Sequence, residues 1–221
     1  RMPLALLFDI DGTLMDTFDA IVESMNAALT EFGVEPLTRE ELRPLIGMPV
    51  ARQMDLLRSM HGQVVEDITD RYYVHFMERV ESGLPLYPGV RETMPFLAGH
   101  PISTMTTRRL QGARRMLEVS GIAPFFQAVV GGDEVARPKP YPDLPLFSAN
   151  ALRVSPERCV VVGDAPVDIL AGRSARMWTV AALYGYGSIS GLREAKPHAT
   201  IRRFSELPAV IQDLEAQTPP R

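Results

Sequence analysis

Two carboxylates one residue apart, Asp9 and Asp11, end the apolar run Leu4-Ala5-Leu6-Leu7-Phe8 and are followed at once by Gly12 and Thr13. A short continuous apolar run bounded by a turn signal suits a strand buried on both faces of a parallel sheet. Both acids then lie at the carboxyl end of that strand, where open α/β sheets bind their ligands. Gly12 lets the chain turn away immediately. Two acids at a strand tip repel unless a proton or cation relieves them, which points to a divalent metal with oxygen ligands. Taken alone, Asp-x-Asp-Gly also suits an ordinary acidic turn, or the metal-binding Asp-x-Asp of a nucleotide-sugar transferase.

Other apolar runs end in chemistry of the same kind. After Ile102-Ser103-Thr104-Met105 come Thr106, Thr107 and Arg108. The run ending at Val130 is followed by Gly131-Gly132-Asp133 and then Arg137-Pro138-Lys139-Pro140. Val160-Val161-Val162 leads into Gly163-Asp164-Ala165-Pro166-Val167-Asp168. Carboxylates, a hydroxyl and a lysine from separate strand ends are the mixture that a metal and a phosphate need together.

The elements that must position these groups follow from periodicity. Phe18, Ile21, Val22, Met25, Leu29 and Phe32 mark one helical face up to a stop at Gly33, with Asp16 or Thr17 as cap. Thr38-Arg39-Glu40-Glu41 is a capping box, and Gly47-Met48-Pro49 interrupts the helix it opens. Further helices are expected over 50–60 and 64–80, with no strand between 17 and 82. Beyond the linker Gly83–Gly89, helices and strands alternate. Helices are expected over 90–98, 109–119, from Pro142 to 152, 167–175 and 205–214. Strands are expected over 102–105, 128–130, 159–162, 177–182 and weakly 199–201. The predicted fold is α/β, a doubly wound parallel sheet with a Rossmann-like core (1–15 and 86–221) and an inserted all-helical cap (16–85).

Composition narrows the function. The 221 residues suffice to bury roughly 70–75% of the unfolded surface. A net charge of −4 without a basic stripe argues against nucleic acid. No apolar run is long enough to span a membrane, and no signal peptide is evident. The single cysteine, Cys159, precedes three valines; it reads as a buried strand residue in a reducing cytoplasm. His61, His75, His100 and His198 lack ligand spacing, so zinc is not expected.

The order Asp9-Ile10-Asp11-Gly12-Thr13, Thr106, Lys139 between prolines, and Gly163-Asp164 with Asp168 resembles the haloacid dehalogenase-like hydrolase superfamily. The likeness is to phosphoglycolate phosphatase-like members with a helical cap, and extends to Tyr184-Gly185-Tyr186-Gly187 and Phe204-Ser205-Glu206-Leu207. It implies a Mg2+-dependent phosphatase acting on a small phosphomonoester, monomeric or homodimeric, without nucleic-acid or membrane partners. Asp9 is implied as nucleophile, Asp11 as acid and base, and Lys139 as a balancing charge. Gly12, Thr106 and the Thr107 amide would receive the phosphate, with Thr104 as the alternative to Thr106. The metal would bind Asp9, the Asp11 carbonyl and Asp164. Asp168 is implied to support the metal's waters or to orient Lys139. Arg52, with Ile46-Gly47-Met48-Pro49, is the candidate reader of the substrate's far end. A sugar phosphomutase, a pyrophosphatase and a non-catalytic phosphate-binding module are the alternatives. Four positions depart from the family: Thr107 and Arg108, where Asn or Ser and then Lys are common; Ala165, where Ser or Thr is common; and Arg176, where Gly is common.

Overall fold

The computed structural model describes residues 2–220. In chain order its elements begin with β1 (Ala5–Phe8), α1 (Phe18–Glu31), α2 (Arg39–Leu42), α3 (Val50–Arg58) and α4 (Gln63–Glu81). Then follow α5 (Val90–Thr93), β2 (Ile102–Thr104), α6 (Leu110–Ser120), α7 (Asp143–Ala151), β3 (Cys159–Gly163) and α8 (Pro166–Ser174). The chain closes with β4 (Trp178–Ala182), α9 (Ile189–Glu194), β5 (Ala199–Ile201) and α10 (Leu207–Glu215). All strand pairs are parallel, in the order β2-β1-β3-β4-β5. This order reverses direction between β1 and β3, the switch point at which doubly wound sheets open a ligand crevice. Phe8 is in register with Val162, and the Asp9 amide donates to the Val162 carbonyl at 3.0 Å. The tips carrying Asp9 and Asp164 are therefore neighbours.

Strand side chains alternate between two cores. Ala5, Leu7, Cys159 and Val161 face Leu144, Ala149, Ala175 and Met177. Leu6, Phe8, Val160, Val162 and Val180 face Val90, Met94, Met116, Phe204, Leu207 and Ile211. Phe8, fully buried against Phe126 and Phe204, contributes on the order of 1.5–3 kcal/mol by burial alone. Cys159 lies inside β3 as expected, and burial pushes its thiol up to about 12.

Local departures have local causes. The expected helix 90–98 splits into α5 and a 3-10 turn over Met94–Leu97, because Pro95 cannot donate the bond an α-helix requires. Residues 128–130 form no strand; they meet β2 through a single backbone bridge from Ala128 to Ser103 and through the Thr104 side chain, which bonds Val130. α9, capped by the Ser188 hydroxyl accepting from the Gly191 amide, is six residues long, too short to announce itself by periodicity.

The helices between β1 and α5 form the cap, with α1 packed along α4. Asn26 ties α1 to the chain before α2, its amide bonding both the amide and carbonyl of Leu37. The capping box at Thr38 and Glu41 forms as expected. The two chain segments joining cap and core are themselves paired. Asp16 donates to the Pro85 carbonyl and Tyr87 to the Leu14 carbonyl, both at 2.9 Å, with an antiparallel bridge between Met15 and Leu86. No helix of the described residues is long and apolar enough to cross a membrane.

Candidate active site

Asp9, Asp11, Thr106, Lys139, Asp164 and Asp168 all converge at the carboxyl ends of β1, β2 and β3, and all are buried. Gly12 has φ +82°, and a Cβ there would collide with the Asp164 carboxylate; only glycine permits both the turn and the approach. Asp164 is fixed by the Thr13 hydroxyl at 2.9 Å and the Tyr186 amide at 2.8 Å. Asp9 turns one oxygen to the Ile10 amide and lies 3.4 Å from Lys139 Nζ through the other. Lys139 also donates to Asp168 at 2.5 Å and to the Met105 carbonyl at 3.2 Å. Asp168 uses its second oxygen on the Ala165 amide at the start of α8. Both Asp168 oxygens are thus engaged, and the side chain orients Lys139.

Asp9, Asp164 and Asp168 each offer an oxygen within 4.8 Å of the others. Burial, and then the neighbouring carboxylates, raise Asp9 well above its ordinary range despite Lys139. Burial and Asp168 push Asp164 up to about 7. Counting Asp11, four buried carboxylates face two buried cations, Lys139 and Arg108. That excess of negative charge, on hard oxygen ligands, fits a divalent cation.

Thr106 accepts from the Arg108 amide at 3.0 Å, and its own hydroxyl hydrogen goes to no described residue. Thr104, the alternative, is turned into the fold instead, exchanging bonds with the Val130 amide and carbonyl. Asp133 caps α6 by accepting from the Leu110 amide, a structural role.

Asp11 has different company. Arg108 donates Nε to Asp11 Oδ2 at 2.9 Å and NH2 to Oδ1 at 2.8 Å. The Thr17 hydroxyl donates to Oδ1 at 2.5 Å. Burial alone would raise Asp11, but the Arg108 charge and these hydrogen bonds outweigh it and hold the carboxyl below its ordinary value. Thr17 stands at the N-cap of α1 yet makes no cap bond with its side chain, because that hydroxyl serves Asp11. Its amide donates instead to the Tyr186 hydroxyl at 2.6 Å.

A cavity of about 50 Å³ lies between core and cap, lined by Asp9, Asp11, Thr107, Arg108, Tyr72 and the segment Ile46–Pro49. Core and cap residues line it together, so the cap covers the site. Arg52 is not brought to it. On the outer face of α3 it pairs with Asp55 at 2.6 Å, in solvent. The next residue, Gln53, turns inward, donates to the Leu45 and Met48 carbonyls, and leaves a buried Oε1 with no partner among the described residues. Sequence reasoning also passed over Thr17, Tyr72 and Tyr186. For Tyr186 the signal is present in the Tyr-Gly-Tyr-Gly stretch after β4; Thr17 reads only as a helix cap and Tyr72 as an ordinary helix residue.

Comparison with known proteins agrees with this geometry. Residues 6–182 match the family described as haloacid dehalogenase-like hydrolase. A phosphoglycolate phosphatase of Haemophilus influenzae is 28% identical over 215 residues, covering 92% of this chain and 96% of the relative. A pyrophosphatase, PpaX, of Listeria welshimeri is 29% identical over 213 residues, covering 95% and 97% respectively. The crystal structure of a predicted phosphoglycolate phosphatase from Haemophilus somnus shares the fold, with a TM-score of 0.85 at 22% identity, over 95% of this chain and 98% of that one. Five parallel strands with acids at the switch point, a helical cap, and a family match across most of the chain lead to one statement: the chain belongs to the haloacid dehalogenase-like hydrolases.

Proposed function

We propose that the protein is a magnesium-dependent phosphatase that hydrolyses a small phosphomonoester of the phosphoglycolate kind through an aspartyl-phosphate. The observation that carries the reading is the convergence of Asp9, Lys139, Thr106 and the Asp164 carboxylate at one strand-end crevice beneath the cap. Asp9 attacks phosphorus, and the bond from phosphorus to the leaving oxygen breaks. Asp11 gives that oxygen a proton, then takes one from the water that attacks the aspartyl-phosphate and frees Asp9. The Thr106 hydroxyl and the Thr107 amide hold phosphoryl oxygens, while Lys139, fixed by Asp168, offsets their charge. Mg2+ held by Asp9, Asp164 and the Asp11 carbonyl would neutralise charge on the transferring group. The cap excludes water, and its Ile46–Pro49 segment with Gln53, rather than Arg52, faces the far end of the substrate.

A phosphate-release screen over small phosphoesters with Mg2+ tests this. The wild-type chain is expected to release phosphate and Asp9→Asn to lose at least about 10³-fold, the scale of losing a nucleophile. An undiminished rate in that variant sinks the reading. Pyrophosphate belongs in the screen, because a pyrophosphatase stands among the relatives. Transfer between positions without net release marks a mutase.

A further inference from the structure

Phosphoryl transfer does not by itself explain the surroundings of Arg108. Its guanidinium is buried, lies 3.6 Å from the ring centroid of Phe76, and donates NH1 to the Tyr72 hydroxyl at 2.8 Å. Tyr72 and Phe76 both belong to α4, so the cap completes this nest. Such burial of a cation is costly and is compensated here by one carboxylate, that of Asp11. Yet Asp11 is the group that must meet the leaving oxygen. Two bonds from Arg108 and one from Thr17 occupy three of its roughly four lone-pair sites. The pair thus describes a resting arrangement that has to open before Asp11 can work. Arg108 also lines the same cavity as Asp9 and Thr107. A planar fork of N–H donors in that wall fits a carboxylate or a phosphate, and a neutral group leaves it with nothing to gain by releasing Asp11.

We propose that Arg108 is the specificity residue of this site: it takes a second anionic group on the substrate, a short linker away from the transferred phosphoryl group, in exchange for Asp11. The inference rests on the phosphatase reading above and sharpens it. Substrates with two adjacent anions bind Arg108 and free the Asp11 carboxyl in one act. Tyr72 is a positioning residue that holds the guanidinium in the cavity wall when the cap is closed.

The test compares kcat/KM for three compounds with Mg2+: phosphoglycolate, pyrophosphate, and ethyl phosphate, which keeps the two-carbon chain of the first without its second anion. p-Nitrophenyl phosphate reports phosphatase chemistry alone. Wild-type chain is expected to favour phosphoglycolate or pyrophosphate over ethyl phosphate by about tenfold or more, the ordinary worth of a charge-assisted pair. Whichever of the two shows the preference tells a carboxylate from a phosphate. Arg108→Gln is expected to bring the ratio below about threefold, and Arg108→Lys to retain part of it. Thermal melting checks folding. If the Gln variant does not fold, the ratio is read in Arg108→Lys and in Tyr72→Phe, which keep the buried charge or the ring.

A ratio unchanged in the variants while all rates fall together makes Arg108 a structural clamp and overturns the proposal. So does a wild-type ratio near one with p-nitrophenyl phosphate still hydrolysed, and the phosphatase reading survives both outcomes. Failure to hydrolyse any of the four compounds removes that reading and this inference with it.

Discussion

Asp9 and Asp11 leave the same strand end two residues apart, and their surroundings push them in opposite directions. Asp9 shares its side of the crevice with Asp164 and Asp168 against one lysine, and its hold on a proton is strengthened by burial and by those acids. Asp11 faces a guanidinium and a hydroxyl, and its hold on a proton is weakened. Phosphoryl transfer asks the reverse of each: an ionised nucleophile and a protonated acid. The difference teaches that both halves are incomplete as they stand. The Asp9 half awaits a cation, and the Asp11 half awaits something to draw Arg108 away. All residues of the first half come from the core, whereas the second borrows Tyr72 and Phe76 from the cap. On the proposed function, a metal ion would complete the first half and a substrate anion beneath the cap the second.

The comparison can be broken most severely at Asp164. Asp164→Asn should lower phosphate release by about 10²–10³-fold, the scale of removing one preorganised electrostatic group. It should also abolish any rise in melting temperature on adding Mg2+. A Mg2+-dependent rise that persists would place the cation elsewhere.

The next effect is on pH. Asp9 and Asp164 have folded-state values raised above those of the unfolded chain, Asp164 to about 7. Without metal their contribution to stability is present at acid pH and lost as pH rises through the folded-state values, which for Asp164 is about 7. Mg2+ should therefore raise the melting temperature by several degrees at pH 8 and by less at pH 5. Asp11 has the opposite sign. Its folded-state value is lowered, so its contribution is present above the ordinary carboxylate range and lost as pH falls through the folded value. Melting curves of wild type and Asp11→Asn down to pH 3 separate the two. An equal Mg2+ effect at both pH values would erase the distinction drawn between the halves.

Smaller still is Thr17→Val, which keeps the shape but removes the donor to Asp11 Oδ1. It should cost about tenfold in kcat with little change in KM, as for one hydrogen bond to a charged group. Steady-state kinetics decide it, and a KM effect alone would move Thr17 from proton handling to binding. Arg176 serves as a control outside both halves. It is exposed and held at φ 58°, beyond the end of α8. Arg176→Gly should raise the melting temperature by about 2–4 °C without altering kinetics.

The sequence made the core half legible and the cap half obscure. Asp9, Asp11 and Asp164 follow apolar runs that form buried strands, so topology gathers them, whereas Lys139 follows no strand and is legible only from its place between prolines in the family pattern. Arg108 was read merely as a departure from a lysine, since its partners are 36 and 97 residues away and share no period with it. Arg52 is expected at the cavity with Ile46–Pro49. Helix α3, however, presents Gln53 and not its neighbour to the cavity, and a shift of one residue around a helix is about 100°. Thr17 was read as a cap, and local propensity gave way to a tertiary partner. The expected strand at 128–130 failed for a related reason. Its apolar side chains are needed in the core, but β2 is only three residues long and offers it a single bridge.

The paired linkers bear on how caps of this kind can change. Two segments bonded as Asp16 to Pro85 and Tyr87 to Leu14 can twist together, but they cannot slide past one another without breaking both bonds. The cap is therefore a lever on one axle rather than a weight on two strings, and that axle fixes the register in which Tyr72 meets Arg108. An insertion of one residue in either linker would shift that axle by about 3.3 Å and reverse which side chains face inward. Insertions within the cap's own loops carry no such penalty. Substrate range can drift by lengthening what lies beyond the axle, while the axle itself tolerates substitution but not a change of length.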